Sequence, residues 1–400
     1  MISALRIGVD ATEAGIADGE RGGVYQYILH LVRHVAAISP ESRLQLMFAL
    51  PHYRHSGTIR RFVAGFRSDN ISVRRVPVPL RYLRRWHIPV DLFARGLDVF
   101  HAPSHLALRC RATPVVVTVH DLAYRRDRGG SIAPAELGPD EARWWDMRRT
   151  FFAEIAEHME GSIRQARLII TVSAAVRGEL IRAFGVDPAK VRVVPLAVRD
   201  DLLSTDSVDT GAVRTAYHLD APYWLYVGCL DPNKNLLALL EGYALYHARG
   251  GKGVLAITGQ SRFYGTVLRH HAKKLGIEHS VRFLGYVPDA DLPGLYRAAT
   301  GVVMPSPLEG FGLPALEAMA CGTPVIAANG GSLPEVVSSA GFLVDASEPR
   351  EFGEAMLRLD EDRVLRAELQ AAGVHRAAQF CWKRAARDTL SIYAEAAGLQ

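Results

Sequence analysis

The sequence predicts an α/β protein with two domains, each built on a parallel sheet that helices cover on both faces. The chain has 400 residues, too many for one ordinary hydrophobic core. Short apolar runs alternate with helically spaced apolar residues in both halves. Several of these runs are apolar almost throughout, which is typical of parallel strands without a solvent-facing side. Together these observations favour two Rossmann-like domains in series.

The strand candidates divide into two groups around residues 198–211, a stretch rich in Ser, Thr and Asp with the composition of a linker. The first group is Leu5–Val9, Leu44–Ala49, Ile71–Val76, Asp98–His101, Val115–Val119, Leu168–Val172 and Val191–Val194. The second group is Tyr223–Val227, Val254–Thr258, Val281–Leu284, Gly301–Met304 and Pro324–Ala327.

The predicted domains are therefore residues 1–200 and 201–381. A final helix over Trp382–Ala397, within residues 382–400, is expected to cross back and brace the first domain. Ligands of such sheets bind at the carboxyl ends of the strands, so two facing domains are expected to share one cleft. Residues 125–143, rich in Gly, Pro and charge, are predicted to form a long loop.

Composition excludes several classes of protein. Apolar residues make up 49% and charged residues 22%, as in globular rather than disordered chains. No uninterrupted apolar run reaches the roughly 18 residues of a membrane span, and Arg6 and Asp10 argue against a signal peptide. The four cysteines are far apart and lack metal-ligand spacing, which favours a reducing, cytoplasmic location.

The net charge of +5 is unevenly distributed. Residues 54–95 contain ten arginines, no lysine and two acids, and they include Tyr82 and Trp86. Basic residues beside large aromatics suit an anionic substrate or an anionic membrane surface, such as the inner face of the cell membrane. A solvated arginine-rich face is the alternative. Nucleic acid is not an expected partner, because no motif typical of its binding is present.

The most informative motif is Glu309-Gly-Phe-Gly-Leu-Pro-Ala-Leu-Glu317, directly after a predicted strand. Gly310 and Gly312 allow a close approach of the backbone to a ligand, and Pro314 suits the first turn of a helix. The start of that helix favours a phosphate. Glu309 could reach sugar hydroxyls, and Glu317 could accept hydrogen bonds from a ribose diol. The alternative is a plain strand-loop-helix turn with two solvated carboxylates.

Further candidate residues follow predicted strands or precede a predicted helix. Lys234, in Gly228-Cys-Leu-Asp-Pro-Asn-Lys-Asn235, could neutralise a diphosphate leaving group. His120 directly follows the strand Val115–Val119, and His101 is a weaker candidate at the end of another strand. The pair Gly22 and Gly23 precedes the first helix, where the backbone could approach a phosphate.

The segment from Glu309 to Glu317 resembles the E-x7-E motif of the large retaining glycosyltransferase family 4, which has the GT-B fold. The resemblance continues through Val281–Pro288, Ala318–Ala327 and Gly330–Val336. It implies a nucleotide-sugar donor, with Glu309, His120 and Lys234 as catalytic residues. It assigns donor binding to Gly22, Gly23, Gly228, Lys234, Val287, Gly310, Phe311, Gly312, Leu313 and Glu317. Cys229 departs from the pattern, because the family often has an arginine after this glycine.

The resemblance also implies front-face transfer with retention at the anomeric carbon. No metal and no other cofactor is expected, since Lys234 and helix N-termini would handle the donor's charge. The pattern is most similar to bacterial mannosyltransferases of polysaccharide assembly. This similarity implies GDP-mannose as the donor and a glycan or lipid-linked glycan as the acceptor. A UDP-sugar donor stays open.

Several polar residues near these motifs are interpreted as helix caps. Asp289, in an Asp-Ala-Asp sequence that resembles a metal-binding motif, follows a proline and precedes a helical pattern. Ser332 and Glu335 have the spacing of a capping box. Asp121 and Ser173 stand where a strand gives way to a helix.

Other functional classes remain as alternatives. The chain could be a non-catalytic nucleotide- or glycan-binding scaffold, because a fold does not fix a function. A sugar-nucleotide epimerase or a pyridoxal-dependent phosphorylase of the same fold is a further alternative. A nicotinamide dehydrogenase and a P-loop enzyme are poorly supported, since neither glycine-rich motif is present.

Overall fold

The computed structural model describes residues 4–15, 22–50, 56–66, 68–104, 107–126, 139–203, 209–260 and 264–399. The chain divides into two compact units. Unit 1 comprises Met1–Tyr124, Phe151–Leu196 and Cys381–Gln400, and unit 2 comprises Arg125–Thr150 and Ala197–Phe380. Among the described residues, no helix combines the length and apolar character needed to cross a bilayer.

The first half of the chain forms seven strands and six α-helices within the described residues. In chain order these are β1 (Arg6–Asp10), α1 (Gly23–Ile38), β2 (Arg43–Leu50), α2 (Ser56–Ala64), β3 (Ile71–Pro79), α3 (Leu80–Arg85), β4 (Val99–Ala102), β5 (Val115–Val119), α4 (Ala123–Arg126), α5 (Pro139–Gln165), β6 (Ala166–Thr171), α6 (Ala174–Phe184) and β7 (Val191–Val193). The strands form one sheet in the order β3-β2-β1-β4-β5-β6-β7, and every neighbouring pair is parallel.

The remaining described part of the chain forms a second sheet. Its elements are α7 (Asp200–Leu203), α8 (Thr210–Ala216), β8 (Tyr223–Val227), α9 (Leu236–Ala248), β9 (Val254–Thr258), α10 (Tyr264–Lys274), β10 (Val281–Gly285), α11 (Leu292–Ala298), β11 (Gly301–Met304), α12 (Leu313–Ala320), β12 (Val325–Ala328), α13 (Leu333–Val337), β13 (Phe342–Val344), α14 (Pro349–Glu361), α15 (Arg363–Ala377) and α16 (Trp382–Ala397). The strand order is β10-β9-β8-β11-β12-β13, again with all neighbours parallel.

The burial of the central strands explains why their positions could be predicted from the sequence. Every residue of β4, β5, β11 and β12 is buried. Such strands have no solvent-facing side and therefore contain continuous apolar runs. The expected pair of parallel-sheet, Rossmann-like halves is confirmed. In each sheet the strand order reverses once, between β1 and β4 in unit 1 and between β8 and β11 in unit 2. Doubly wound folds bind their ligands at these reversal points.

Helix α16 packs within unit 1, against α1. The ring of Trp382 stacks on His30 with centroids 5.3 Å apart and an interplanar angle of 13°. Further along the helix, the Tyr393 hydroxyl lies 2.6 Å from His101 Nδ1. The helix occupies the predicted residues, because its apolar positions recur with helical spacing.

His101 lies in a buried polar network rather than at an exposed strand end. Its Nε2 is 2.8 Å from Thr118 Oγ1, which is also 3.0 Å from the Tyr27 hydroxyl. Burial lowers the pKa of His101 to about 3, so the ring is neutral near pH 7. Both ring nitrogens of His101 contact internal hydroxyls, so this residue has a structural role. The prediction that His101 could face a ligand is wrong.

Two stretches differ from the sequence-based expectations. A long loop is predicted over residues 125–143, but α4 includes residues up to Arg126 and α5 begins at Pro139. The positions between them, 127–138, lie outside the described residues. The linker over 198–211 contains the short helix α7, and α8 begins at Thr210. Both stretches are assigned from their composition of charged, Gly, Pro, Ser and Thr residues, and composition does not reveal short helices.

Candidate functional site

Two loops meet at the strand-order reversal of unit 2. One follows β8 and contains Lys234, and the other follows β11 and contains Glu309. Lys234 Nζ donates a hydrogen bond to Glu309 Oε1 at 2.7 Å. The Lys234 and Glu309 side chains are 25% and 13% exposed, so the pair is accessible but only partly solvated. The structure thus joins two predicted catalytic residues that are 75 positions apart.

The Lys234 loop has a defined conformation. Residues Pro232–Lys234 form a single 3-10 turn, and the Asp231 side chain caps it by accepting from Asn233 N at 2.9 Å. Asp231 also receives two hydrogen bonds from Arg148, a residue of α5 that the sequence did not single out.

Asn235, which ends the turn, joins it to neighbouring loops. Its backbone is left-handed, with φ of 54°, a conformation that asparagine tolerates better than most residues. Its side-chain amide donates to the carbonyl of Pro305 at 3.1 Å and to that of Ala346 at 2.8 Å. These bonds hold the loop after β8 against the loops after β11 and β13. No local pattern indicates this role.

The Glu309 loop rests on the turn before α13. Gly331 has φ of +57°, and a Cβ there would lie 2.7 Å from both the N and the O of Glu309. The Ser332 N–H and hydroxyl both donate to the Glu309 carbonyl, at 3.0 and 2.9 Å. The capping-box interpretation of Ser332 is therefore wrong. Its hydroxyl makes no cap bond to α13, because it binds the Glu309 backbone instead.

The start of α12 follows shortly after Glu309. Gly312 has φ of +93°, and a Cβ there would lie 2.6 Å from Leu333 Cδ2, so this position requires glycine. Phe311 is 4% exposed and packs edge-on against Phe380, with centroids 5.7 Å apart. Phe311 thus anchors the loop from the interior, while Gly310 is buried and Leu313 is half-buried.

Glu317 lies on the buried side of α12 and is 7% exposed. Its Oε2 accepts a hydrogen bond from the Tyr296 hydroxyl at 2.8 Å. Burial raises the pKa of Glu317 to about 6, although the nearby Arg199 guanidinium and the Tyr296 hydroxyl oppose the shift. The second glutamate of the motif therefore titrates close to neutral pH.

Arg199 is a second residue that the sequence did not single out. Its side chain is 6% exposed and forms ion pairs with Asp201 at 2.9 Å and with Asp289 at 3.2 Å. It also donates to the Asp289 carbonyl at 3.0 Å. The expectation that Asp289 is a helix cap is therefore wrong, because this residue pairs with Arg199. The N-cap residue of α11 is Asp291, whose carboxylate accepts from Tyr217 instead.

The buried carboxyl group of Glu317 predicts a pH dependence of stability. Its folded pKa of about 6 exceeds its ordinary value of 4.5, so the folded state binds the proton more tightly. This stabilisation is complete below pH 4.5 and is lost as the pH rises through 6, a change of about 2 kcal/mol in the free energy of unfolding. We expect Glu317→Gln to remove this change relative to the wild type in urea unfolding at pH 4.5 and pH 7. An equal pH dependence in both proteins would contradict the assignment.

In unit 1, His120 directly follows β5. Its Nε2 lies 2.8 Å from the carbonyl of Pro103, so Nε2 carries the proton and donates it. Burial lowers the pKa of His120, which keeps the ring neutral near pH 7. The Tyr27 ring packs against it nearly at a right angle, with ring centroids 4.9 Å apart. In this tautomer Nδ1 can only accept a hydrogen bond.

Two neighbouring polar side chains in unit 1 accept hydrogen bonds from the starts of helices. Asp121 accepts from Ala123 N at 3.0 Å, and Ser173 caps α6 by accepting from Val176 N at 3.1 Å. The helix cap at Ser173 is confirmed, and Asp121 binds the first backbone amide of α4.

The remaining predicted donor-binding residues lie at loop ends. Gly228 follows β8 directly, and Val287 is 6% exposed in the loop after β10. Gly22 precedes α1 and Gly23 is its first residue, and both are exposed. A Cβ at Gly22 would meet no atom within 4 Å, so the described fold does not itself require glycine there.

Comparisons with known proteins agree with this geometry. Residues 21–202 match glycosyltransferase family 4, and residues 214–376 match the group 1 glycosyl transferases. The chain is 33% identical over 297 residues to O-antigen chain mannosyltransferase B of Escherichia coli, an alignment that covers 74% of each chain. It is 30% identical to D-inositol 3-phosphate glycosyltransferase of Frankia alni, over 94% of this chain and 95% of the relative.

A solved structure shows the same fold. HepE of Anabaena, crystallised with UDP and glucose, superposes with a TM-score of 0.71 at 20% identity, over 98% of this chain and 100% of that one. The two parallel sheets, the matches in both halves and the identity to the E. coli mannosyltransferase lead to one conclusion: the chain belongs to glycosyltransferase family 4 and has the GT-B fold.

Proposed function

We propose that this glycosyltransferase is a retaining hexosyltransferase that moves mannose from GDP-mannose to a glycan or lipid-linked glycan. The observation that carries the proposal is the Lys234–Glu309 pair at the strand-order reversal of unit 2. The E. coli relative, an O-antigen chain mannosyltransferase by name, supports mannose and a polysaccharide acceptor.

Unit 2 has the chemistry that a nucleoside diphosphate requires. Lys234 offers an ammonium group to the departing phosphate, and the start of α12 adds the positive end of a helix dipole. When the donor binds, its phosphate would compete with Glu309 for Lys234 and leave the carboxylate for the sugar hydroxyls. Glu317, one turn into α12, would accept from the ribose diol.

In the proposed step, the bond between the anomeric carbon and the phosphate oxygen breaks, and the acceptor oxygen bonds to the same face. The departing phosphate oxygen takes the proton of the acceptor hydroxyl. Lys234 stabilises the negative charge that develops on the diphosphate, and this step needs no metal. His120 would accept a hydrogen bond from a sugar hydroxyl through Nδ1, because its Nε2 proton is held by Pro103.

A second candidate uses a different donor and acceptor. The similarity to D-inositol 3-phosphate glycosyltransferase, which extends over 94% of this chain, favours an inositol phosphate acceptor and leaves a UDP-sugar donor open. Both candidates require the same Lys234–Glu309 pair.

Product analysis separates the candidates. We would incubate the enzyme with GDP-mannose or UDP-sugars, offering mannose-terminated oligosaccharides and D-inositol 3-phosphate in parallel, with and without EDTA. NMR of the product would report the anomeric configuration. We expect an α-linked mannoside from GDP-mannose, formed equally well in EDTA. A β-linked product would contradict retention, and turnover restricted to UDP-sugars would contradict the donor assignment.

One exposed aromatic side chain, stacked on a half-buried one, supports a peripheral membrane location at the inner face of the membrane. Trp86, directly after α3, is 63% exposed and stacks on Tyr82 at 4.8 Å, beside the exposed Arg85. Arg84, by contrast, faces Asp10 and Glu13, and burial lowers its pKa, so it does not belong to this surface.

The membrane proposal predicts an effect of one exposed side chain. We expect Trp86→Ala to weaken cosedimentation with vesicles of anionic phospholipid by about tenfold, because it removes an interfacial aromatic side chain. Leu245→Ala, which truncates an exposed apolar residue of unit 2, is the matched control. If the wild type does not bind these vesicles at low salt, this part of the proposal fails.

A further inference from the structure

One contact in unit 2 that the proposed function does not use joins α5 to the Lys234 loop. Arg148 Nε donates to Asp231 Oδ2 at 3.1 Å, and its Nη2 donates to Oδ1 at 2.9 Å. The Arg148 side chain is 6% exposed. The next residue, Arg149, is 70% exposed and pairs with Asp146, one turn earlier in the same helix.

Stability alone is a weak reason for such a pair. Removing two charges from water costs several kcal/mol per ion, and this cost offsets much of their attraction. A bidentate guanidinium–carboxylate pair does, however, fix the plane of the carboxylate, which a lysine cannot do. The pair therefore provides orientation.

The Asp231 side chain and backbone both bind the Pro232–Lys234 turn, so the orientation of Asp231 determines the conformation of the loop. Its Oδ1 accepts from Asn233 N at 2.9 Å, and its backbone carbonyl accepts from Lys234 N at 2.9 Å. The carboxylate that Arg148 holds thus belongs to the residue that closes the Pro232–Lys234 turn. Asn235 fixes the other end of this turn. The Lys234 side chain therefore extends from a backbone segment that is held at both ends.

We propose that Arg148 is a positioning residue for Lys234: through Asp231 it holds the ammonium group where the terminal phosphate of a nucleoside diphosphate binds. This inference rests on the proposed function. Cys229 follows Gly228 in this chain, and Arg148 reaches the same loop from α5 through Asp231. Arg148 acts on the conformation of the loop rather than directly on the phosphate.

The test compares a diphosphate with the corresponding monophosphate. GDP and GMP, with UDP and UMP in parallel, share all contacts except those of the terminal phosphate that Lys234 would hold. Their affinity ratio, from titration calorimetry, reports the placement of Lys234 without any acceptor. A purely structural role of Arg148 would lower the melting temperature and both affinities together, and it would leave the ratio unchanged.

We expect the wild type to prefer the diphosphate and Lys234→Ala to lose most of that preference. Arg148→Lys retains the positive charge but not the two parallel N–H donors of the guanidinium group. It should lower the ratio of diphosphate to monophosphate affinity about tenfold, since a charge-assisted contact is weakened, while the monophosphate affinity stays within about twofold. Asp231→Asn, which retains an oxygen for Asn233 N, should lower the ratio in the same direction. Arg149→Lys is the matched control and should change nothing.

Two results would contradict different claims. If Lys234→Ala loses the preference but Arg148→Lys and Asp231→Asn both retain it, the positioning role is wrong and the proposed function stands. If the wild type shows no preference for a diphosphate with either base, the proposed donor site fails, and this inference fails with it.

Discussion

Replacing Glu309 by alanine is expected to lower kcat by about 10²- to 10³-fold, the loss typical of removing one preorganised polar group from an active site. The carboxylate contacts Lys234 at 2.7 Å and is 13% exposed, so water cannot fully substitute for it. The nucleoside diphosphate affinity should stay the same or rise, because Lys234 would lose its competing anion. Steady-state kinetics and titration calorimetry would measure the two effects separately.

Glu361→Ala is the matched control, because Glu361 is exposed at the end of α14 and outside the proposed site. Full turnover of Glu309→Ala would show that the role assigned to Glu309 is wrong. An equal loss of turnover and nucleotide affinity would instead identify Glu309 as a donor-binding residue without a role specific to the transition state.

Gly331→Ala should have a comparably large effect on turnover without touching any ligand. Its Cβ would come within 2.7 Å of the Glu309 backbone, and φ of +57° is unfavourable for alanine. The Glu309 loop must therefore move. A displacement of about 1 Å at a catalytic group can cost about 10²-fold in rate. Turnover of the folded protein is the measurement.

Gly276→Ala separates steric displacement from backbone strain. Gly276 has a similar φ of +70°, but a Cβ there would meet no atom within 4 Å. It should therefore show only the strain, about 1 kcal/mol of lost stability, with unchanged kcat. If both variants lose stability alone, the turn before α13 does not position Glu309.

The strands could be predicted from the sequence because burial on both faces removes polar residues from them. Val115–Val119, Tyr223–Val227, Val254–Thr258 and Gly301–Met304 begin and end where predicted. The three-residue strand Phe342–Val344 was missed, since so short an apolar run has no distinct periodicity.

The candidate site could be predicted only where its pattern is local. Glu309, Glu317 and Lys234 stand in recognisable sequence motifs. Arg148 and Arg199 do not, because Asp231 and Asp289, which they contact, lie 83 and 90 positions away. The additional pairing of Arg199 with the nearby Asp201 gives no sign of the contact with Asp289.

Ser332 shows the opposite error. Its spacing to Glu335 fits a capping box, but the hydroxyl binds the carbonyl of Glu309, 23 positions earlier in the chain. A tertiary contact thus replaces the local one, and single-sequence patterns carry no information on such competition.

The central claim is that the Lys234–Glu309 pair marks a nucleoside diphosphate site. The most direct measurement is thermal unfolding of the wild type and Lys234→Ala with GDP, UDP, ADP and dTDP, each with and without EDTA. We predict that one nucleotide, GDP on the present proposal, raises the melting temperature of the wild type in the presence of EDTA and loses most of this effect in Lys234→Ala. Equal stabilisation of both proteins, or none by any nucleotide, would contradict the claim.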